Sequence, residues 1–189
     1  MLTAIERITA PAKWPLSLKE IKQHGRIDHD EDDFLNAVLM AVTRHCEQYL
    51  RKVLITQQWK ATFDCFENIM DLPNPPIQQI DSVEYYDQDD ALQTLASSVY
   101  LLNKTKSTLV LAYNQQWPSV VNKENAISVT YTSGYGDDPA DVPEDIRWGM
   151  RLLVGHFYEN RENSAPITVS SVPYGLTELW WPHRWIGLI

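Results

Sequence analysis

TSGYGDDPADVPEDIRWGMRLLVGHFYENR, residues 132–161, decides how the rest of the chain is read. Gly134 and Gly136 flank Tyr135 just after the alternating residues Ile127, Val129 and Tyr131, and they mark the end of a strand. Pro139 and Pro143 follow among Asp137, Asp138, Asp141 and Glu144. Proline is pre-set for a first helical turn, and carboxylates there meet the positive end of the helix dipole. From Pro143 the apolar residues Ile146, Met150, Leu153 and Phe157 recur at helical spacing, and Trp148, Leu152 and Val154 widen the stripe. The spacing predicts a helix over 143–161, with polar Glu159, Asn160 and Arg161 at its end.

A second rod lies upstream. Ser17 and Glu20 form a capping box, in which hydroxyl and carboxylate each satisfy an orphan amide, opening a short helix that stops at Gly25. Asp28, Asp30, Glu31, Asp32 and Asp33 then front a long helix over about 31–52. Its apolar face is Leu35, Val38, Leu39, Val42, Cys46, Tyr49 and Leu50. The two rods are expected to pack side by side. Residues 1–16 read as a lead-in whose Leu2, Ile5, Ile8 and Trp14 rest on something.

Between the rods the period changes to two. Ile55, Gln57, Trp59, Ala61, Phe63 and Cys65 alternate with polar residues. Further strands are expected around Ile80–Tyr85, Tyr100–Leu102, Leu109–Tyr113 and Ala126–Thr132, the ladder being broken at Asp71–Pro76. Strands in one block and helices in another predict an α+β fold: a long-helix bundle with an inserted, mostly local antiparallel β-unit and an extended C-terminal tail. The expected division is a helical body of residues 1–53 and 143–162, a β-unit of 54–134 and a tail of 163–189.

Composition narrows the function. With 16 Lys and Arg against 25 Asp and Glu, the net charge of −9 gives no counterion-release affinity for nucleic acid. Cys46 and Cys65 lack motif spacing and read as buried thiols of a reducing compartment. The N-terminus has no apolar core of signal-peptide length, and no apolar run is long enough for a membrane span. Asp28, Asp30 and Asp32 suggest a calcium loop, but Asp33 and Leu39 stand where such a loop needs glycine and glutamate. The five histidines show no metal-binding spacing, and no nucleophile motif is present. No catalytic residue, cofactor or metal is therefore expected.

The C-terminus is different. Three of the seven tryptophans fall in the last ten residues, and Glu178 and Arg184 are the only formal side-chain charges in 164–189, so water is a poor host for this segment. It could be a strap over the chain's own core or a peptide that docks in a partner. The docking reading is taken here because tryptophan and arginine are enriched at interface hot spots. It names Trp180, Trp181, Arg184, Trp185, Ile186, Leu188 and Ile189, and expects truncation at Leu179 to leave the fold intact.

These features, in this order, resemble the head–tail connector (adaptor, head-completion) proteins of long-tailed bacteriophages, prophages and gene-transfer particles. The resembling residues are Ser17–Glu20, Asp28–Asp33, Leu54–Trp59, Asp71–Pro73 with Pro76, and Val83–Asp87. They continue through Gly134–Gly136, Val142–Ile146, His156–Arg161, Pro173–Leu176 and Pro182–Arg184. The resemblance implies a virion-neck protein, made in the host cytoplasm, that forms a ring of about twelve copies under the portal protein. Such a ring would meet the next neck (stopper) protein and extend the DNA channel without sequence-specific binding. Within it, Arg147, Trp148, Arg151, Tyr158 and Arg161 are the expected contacts between copies. A soluble module that forms no ring, and a small enzyme with an unrecognised site, remain alternatives.

Overall fold

The last strand ends at Gly134 because φ there is 131°, a backbone angle that side chains rarely allow. Two residues on, Gly136 lets the chain pass against the Asp141 carboxylate, where a methyl group would collide. This turn lies at the boundary of two compact units in a computed structural model that describes residues 1–161 and 174–187. One unit is built from Met1–Pro11 and Thr56–Tyr135, the other from Ala12–Ile55 and the described part of Gly136–Ile186.

The first unit is all β. Its strands are β1 (Leu2–Thr9), β2 (Gln57–Phe63), β3 (Ile69–Asp71), β4 (Ile77–Tyr86), β5 (Leu92–Thr94), β6 (Tyr100–Asn103), β7 (Thr108–Leu111) and β8 (Ile127–Ser133). They form a five-stranded sheet, β1-β2-β8-β4-β5, and a three-stranded sheet, β3-β7-β6, with antiparallel pairing throughout. Alternation aims Ala61, Phe63, Ile127, Val129, Tyr131, Ile77 and Val83 at one apolar core. The short sheet supplies Met70, Tyr100 and Leu109 to the same core, beside which Phe66 stacks on Trp117 at 4.6 Å.

Two expectations change here. Pairing is not mostly local: β8 lies between β2 and β4, with Gln57 opposite Ser133, and flanked on both sides it buries every second residue from Ile127 to Ser133. Residues 1–16 are not all a lead-in to helices. Leu2–Thr9 is a sheet strand, and Cys65 beyond β2 is exposed rather than buried.

The second unit is helical: α1 (Leu18–Gly25), α2 (Asp32–Leu50), α3 (Glu144–Glu159) and α4 (Tyr174–Trp180). The Ser17/Glu20 capping box opens α1 as expected. Arg51, in the left-handed conformation, ends α2. Leu35, Leu39, Val42, Cys46 and Leu50 of α2 are buried with Ile146, Met150, Leu153 and Val154 of α3, and the two rods pack together. On α3 the apolar stripe is narrower than its sequence: Trp148, Leu152 and Phe157 remain 46%, 39% and 43% exposed. The expected extended tail is helical in part, since α4 packs on α3 and a 3-10 turn follows at Trp181–His183. Ile167 and Val169 lie outside the described residues. Among the described residues, no helix is long and apolar enough to cross a membrane.

Candidate docking and assembly surfaces

The α4 segment is anchored by Trp180. Its side chain is fully buried, and the indole Nε1–H donates to the Ile146 carbonyl at 3.1 Å. Gly149 makes the seat possible, because any side chain there would enter the space of the indole and of Leu176. Tyr49 of α2 closes the other side with its ring centre 5.8 Å away. Trp180, expected to dock in a partner, is therefore a core residue of this chain. For Trp180 the strap reading holds, and truncation at Leu179 is now expected to destabilise the protein.

Beyond it the chain turns outward. His183 pairs with Asp145 in the first turn of α3, and the Trp185 amide donates to the Leu50 carbonyl at 2.8 Å. Burial raises the Asp145 pKa, but the His183 hydrogen bond and charge outweigh it and the net shift is downward. Pinned at those points, the segment presents Trp181 and Ile186 at 55% and 66% exposure. The Arg184 guanidinium stacks between Tyr49 and Trp181, 5.4 and 5.6 Å from their ring centres. A cleft of about 390 Å³ opens beside them, lined by Tyr49, Thr177, Glu178, Trp181 and Pro182. Trp185 is half-buried, and Leu188 and Ile189 lie outside the described residues.

The residues expected to join copies fare unevenly. The Arg147 and Arg151 side chains are only 13% and 10% exposed, and both pair within the chain with Glu20 and Glu144. Arg147 Nε also donates to the Pro15 carbonyl at 3.2 Å. Burial acts to raise the Glu20 pKa, yet the Ser17 hydrogen bonds and the two guanidiniums bring it below normal. These arginines tie α1 to α3 and are not free for a neighbour. Trp148 is, with His24 edge-on at 5.3 Å and Leu152 one turn along the same exposed face. Its exposure could not be read from a stripe that also contains Ile146 and Met150.

Tyr158 and Arg161 form a clasp at the end of α3. Tyr158 Oη lies 2.9 Å from His29 Nε2, and Arg161 reaches the Glu31 carboxylate at 2.6 Å while lying over the rings of Phe34 and Tyr158. Hydrogen bonds from Arg161, then from Tyr158, pull the Glu31 pKa from 4.5 to about 2. A native pKa below the unfolded one stabilises the fold above the unfolded value and loses that effect as pH falls through the folded value. Glu31→Gln should therefore lower the melting temperature at neutral pH and flatten its fall between about pH 4.5 and 2, so that variant and parent converge in acid. An unaltered acid slope in the variant would refute the clasp. Glu31 and Asp32, two of the acidic run, are thus paired with Arg161 and Lys22. Among the described residues no three His, Cys, Asp or Glu side chains converge as a metal site requires.

The family model for head completion proteins matches residues 16–174 of the chain. The chain belongs to the head completion protein family. Solved structures share the fold over almost the whole chain. A chain of the virion of a native gene transfer agent particle aligns with TM-score 0.82 at 19% identity, covering 99% of this chain and 98% of its own. Chains from the neck of the empty particle, computed with C6 symmetry, and of the native particle, computed with C12 symmetry, align at TM-scores of 0.82 and 0.79. Both are also 19% identical, with the same coverage. No curated protein matches. The matched span includes the capping box, both long rods and the whole β-unit after β1, so this head completion protein carries its family pattern in both compact units.

Proposed function

We propose that this head completion protein is a structural part of the virion neck. In this reading about twelve copies form a ring beneath the portal and extend the DNA channel between capsid and tail. Membership of the family over residues 16–174 carries the proposal. Charge supports the channel role. With −9 on each copy, a ring surrounds DNA with repulsive potential, so the duplex slides instead of sticking. The role is mechanical, and no catalytic step is part of it.

Two surfaces fit this role. The exposed outer turn with Trp181, Arg184 and Ile186 is the portal-docking end, Trp180 being the anchor that positions it. Trp148 and Leu152 offer a neighbouring copy apolar area on α3, with Tyr158 and Arg161 at the edge of that contact. The next neck protein would meet the ring on its tail side.

The test is a double variant, Trp181→Ala with Ile186→Asp, mixed with the portal protein of the same particle. Both side chains are exposed, so stability should change by only about 0.5 kcal/mol for each. Pull-down of the portal should be lost while melting is retained, and electron microscopy of the parent mixture should show rings on the portal. Undiminished portal binding by the folded variant would overturn the docking assignment.

A further inference from the structure

The β-unit has an asymmetry that its own folding does not use. All eight residues of β1 are exposed, so the strand adds nothing to the apolar core and is held by its ladder to β2. Thr3 Oγ1 donating to the Thr62 carbonyl at 2.9 Å and the terminal amine on Glu67 at 2.6 Å add to that hold. Among the described residues no strand lies along the outer edge of β1. The sheet is open on the opposite side too. β5 pairs only with Glu84–Tyr86, and the Leu95 amide donates to the Val83 carbonyl, so among the described residues no strand lies along Ile77–Ser82 of β4 on the side away from β8. Free backbone donors and acceptors in a row specify their partner's chemistry, which is another extended strand.

Strand direction identifies which one. β1 is antiparallel to β2, β2 to β8, and β8 to β4, so β1 and β8 run one way and β2 and β4 the other. When the β1 of a second copy is laid beside β4, the alternation continues unbroken. The same joint can then repeat from copy to copy, as the head-to-tail contact of a ring demands. The lengths agree, eight residues in β1 against the six open positions Ile77–Ser82. Both edge strands carry register shifts, at Leu2/Ala4 and Arg7/Thr9 in β1 and at Ile77/Gln79 and Ile80/Ser82 in β4. Such shifts bend and twist a strand, which is how sheets acquire the curvature to close. Ile5 on β1, opposite Ala61 on the core-facing side and 39% exposed, would come beside Ile80 of the neighbour.

We infer that β1 of each copy adds to the open edge of β4 in the next copy, joining the five-stranded sheets of neighbouring subunits through their backbones. This rests on the ring reading above and names a contact within it.

The test uses Ala4→Cys with Gln79→Cys in a Cys65→Ser background. Ala4 and Gln79 both lie on the sheet face away from the core, opposite Thr62 and Thr132. A short bis-maleimide tolerates small register differences. In assembled material it should yield a ladder of covalent dimers, trimers and higher species, forming roughly a hundredfold faster than with dispersed subunits, because the joint makes the reaction effectively intramolecular. In the unmodified protein, hydrogen exchange of Leu2–Thr9 should slow on assembly. Intact rings without a ladder, or with unchanged exchange in β1, would overturn the joint and leave the ring standing. Ile5→Cys alone giving mainly covalent dimers would overturn it in favour of a two-fold β1–β1 contact. If no ring forms beside the portal, the ring reading fails and takes the joint with it.

Discussion

Trp180→Ala should be the most damaging single change in the C-terminal segment, lowering stability by about 3–5 kcal/mol. The indole fills a seat made by Gly149, Tyr49 and Leu176, and its N–H reaches the Ile146 carbonyl. Removing it leaves a cavity in the helical unit and releases α4 from α3. For a chain of 189 residues that loss corresponds to a fall in melting temperature of roughly 6–20 °C. Trp180→Phe, which keeps most of the volume and loses the donor, should fall between parent and alanine variant. Gly149→Ala should approach the same defect from the other side, by overpacking worth about 1–3 kcal/mol. Thermal melting by circular dichroism measures all three. A Trp180→Ala protein that melts like the parent yet no longer binds the portal would restore Trp180 to the docking surface.

Arg147→Glu should harm the fold before it harms assembly. Arg147 Nη1 lies 2.7 Å from Glu144, and Nη2 meets Glu20. Reversal gathers three carboxylates where two guanidiniums and two carboxylates now alternate. Removing one member of a buried pair costs about 3–5 kcal/mol, but Glu144 is 64% exposed and water screens its share. A loss of about 2–3 kcal/mol is expected, largest at low salt and measured by denaturant midpoint. Arg147→Lys should recover part of it, since it keeps the charge and loses the two-pronged geometry. Combining Arg147→Met with Glu20→Gln should cost less than the sum of the two single changes, because the residues share one interaction. A folded Arg147→Glu protein of parental stability that fails to form rings would show that this arginine faces a neighbour.

Parts of this architecture were legible because their causes are local. A capping box needs only Ser17 and Glu20 three residues apart, and the structure shows both hydrogen bonds. The core positions of α2 follow from a period of 3.6, and the strand of Trp59, Ala61 and Phe63 from a period of two. β1 escaped for an equally physical reason. Leu2, Ile5 and Ile8 are spaced by three, which fits no regular strand, but the register shift between Leu2 and Ala4 puts Leu2 and Ile5 on the same side, opposite Phe63 and Ala61. The central place of β8 was hidden because alternation says which face of a strand is buried and nothing about which strand lies beside it.

The candidate surfaces divide along the same line. By itself the sequence determined the α+β class, the two rods, the acidic balance and an aromatic terminus unsuited to water. Only the tertiary structure decided which aromatic residues that terminus keeps and which it shows. Trp180 and Trp181 are adjacent and alike in composition, yet one is buried and the other 55% exposed. The difference comes from residues more than thirty positions away, the Gly149 that leaves room and the Ile146 carbonyl that accepts the indole proton. Arg147 and Arg151 changed role likewise, from a face for neighbours to a clamp on Glu20, because nothing in the order of residues shows that α1 folds back onto α3. Periodicity reports which side of an element avoids water, whereas what it meets there is set by long-range packing.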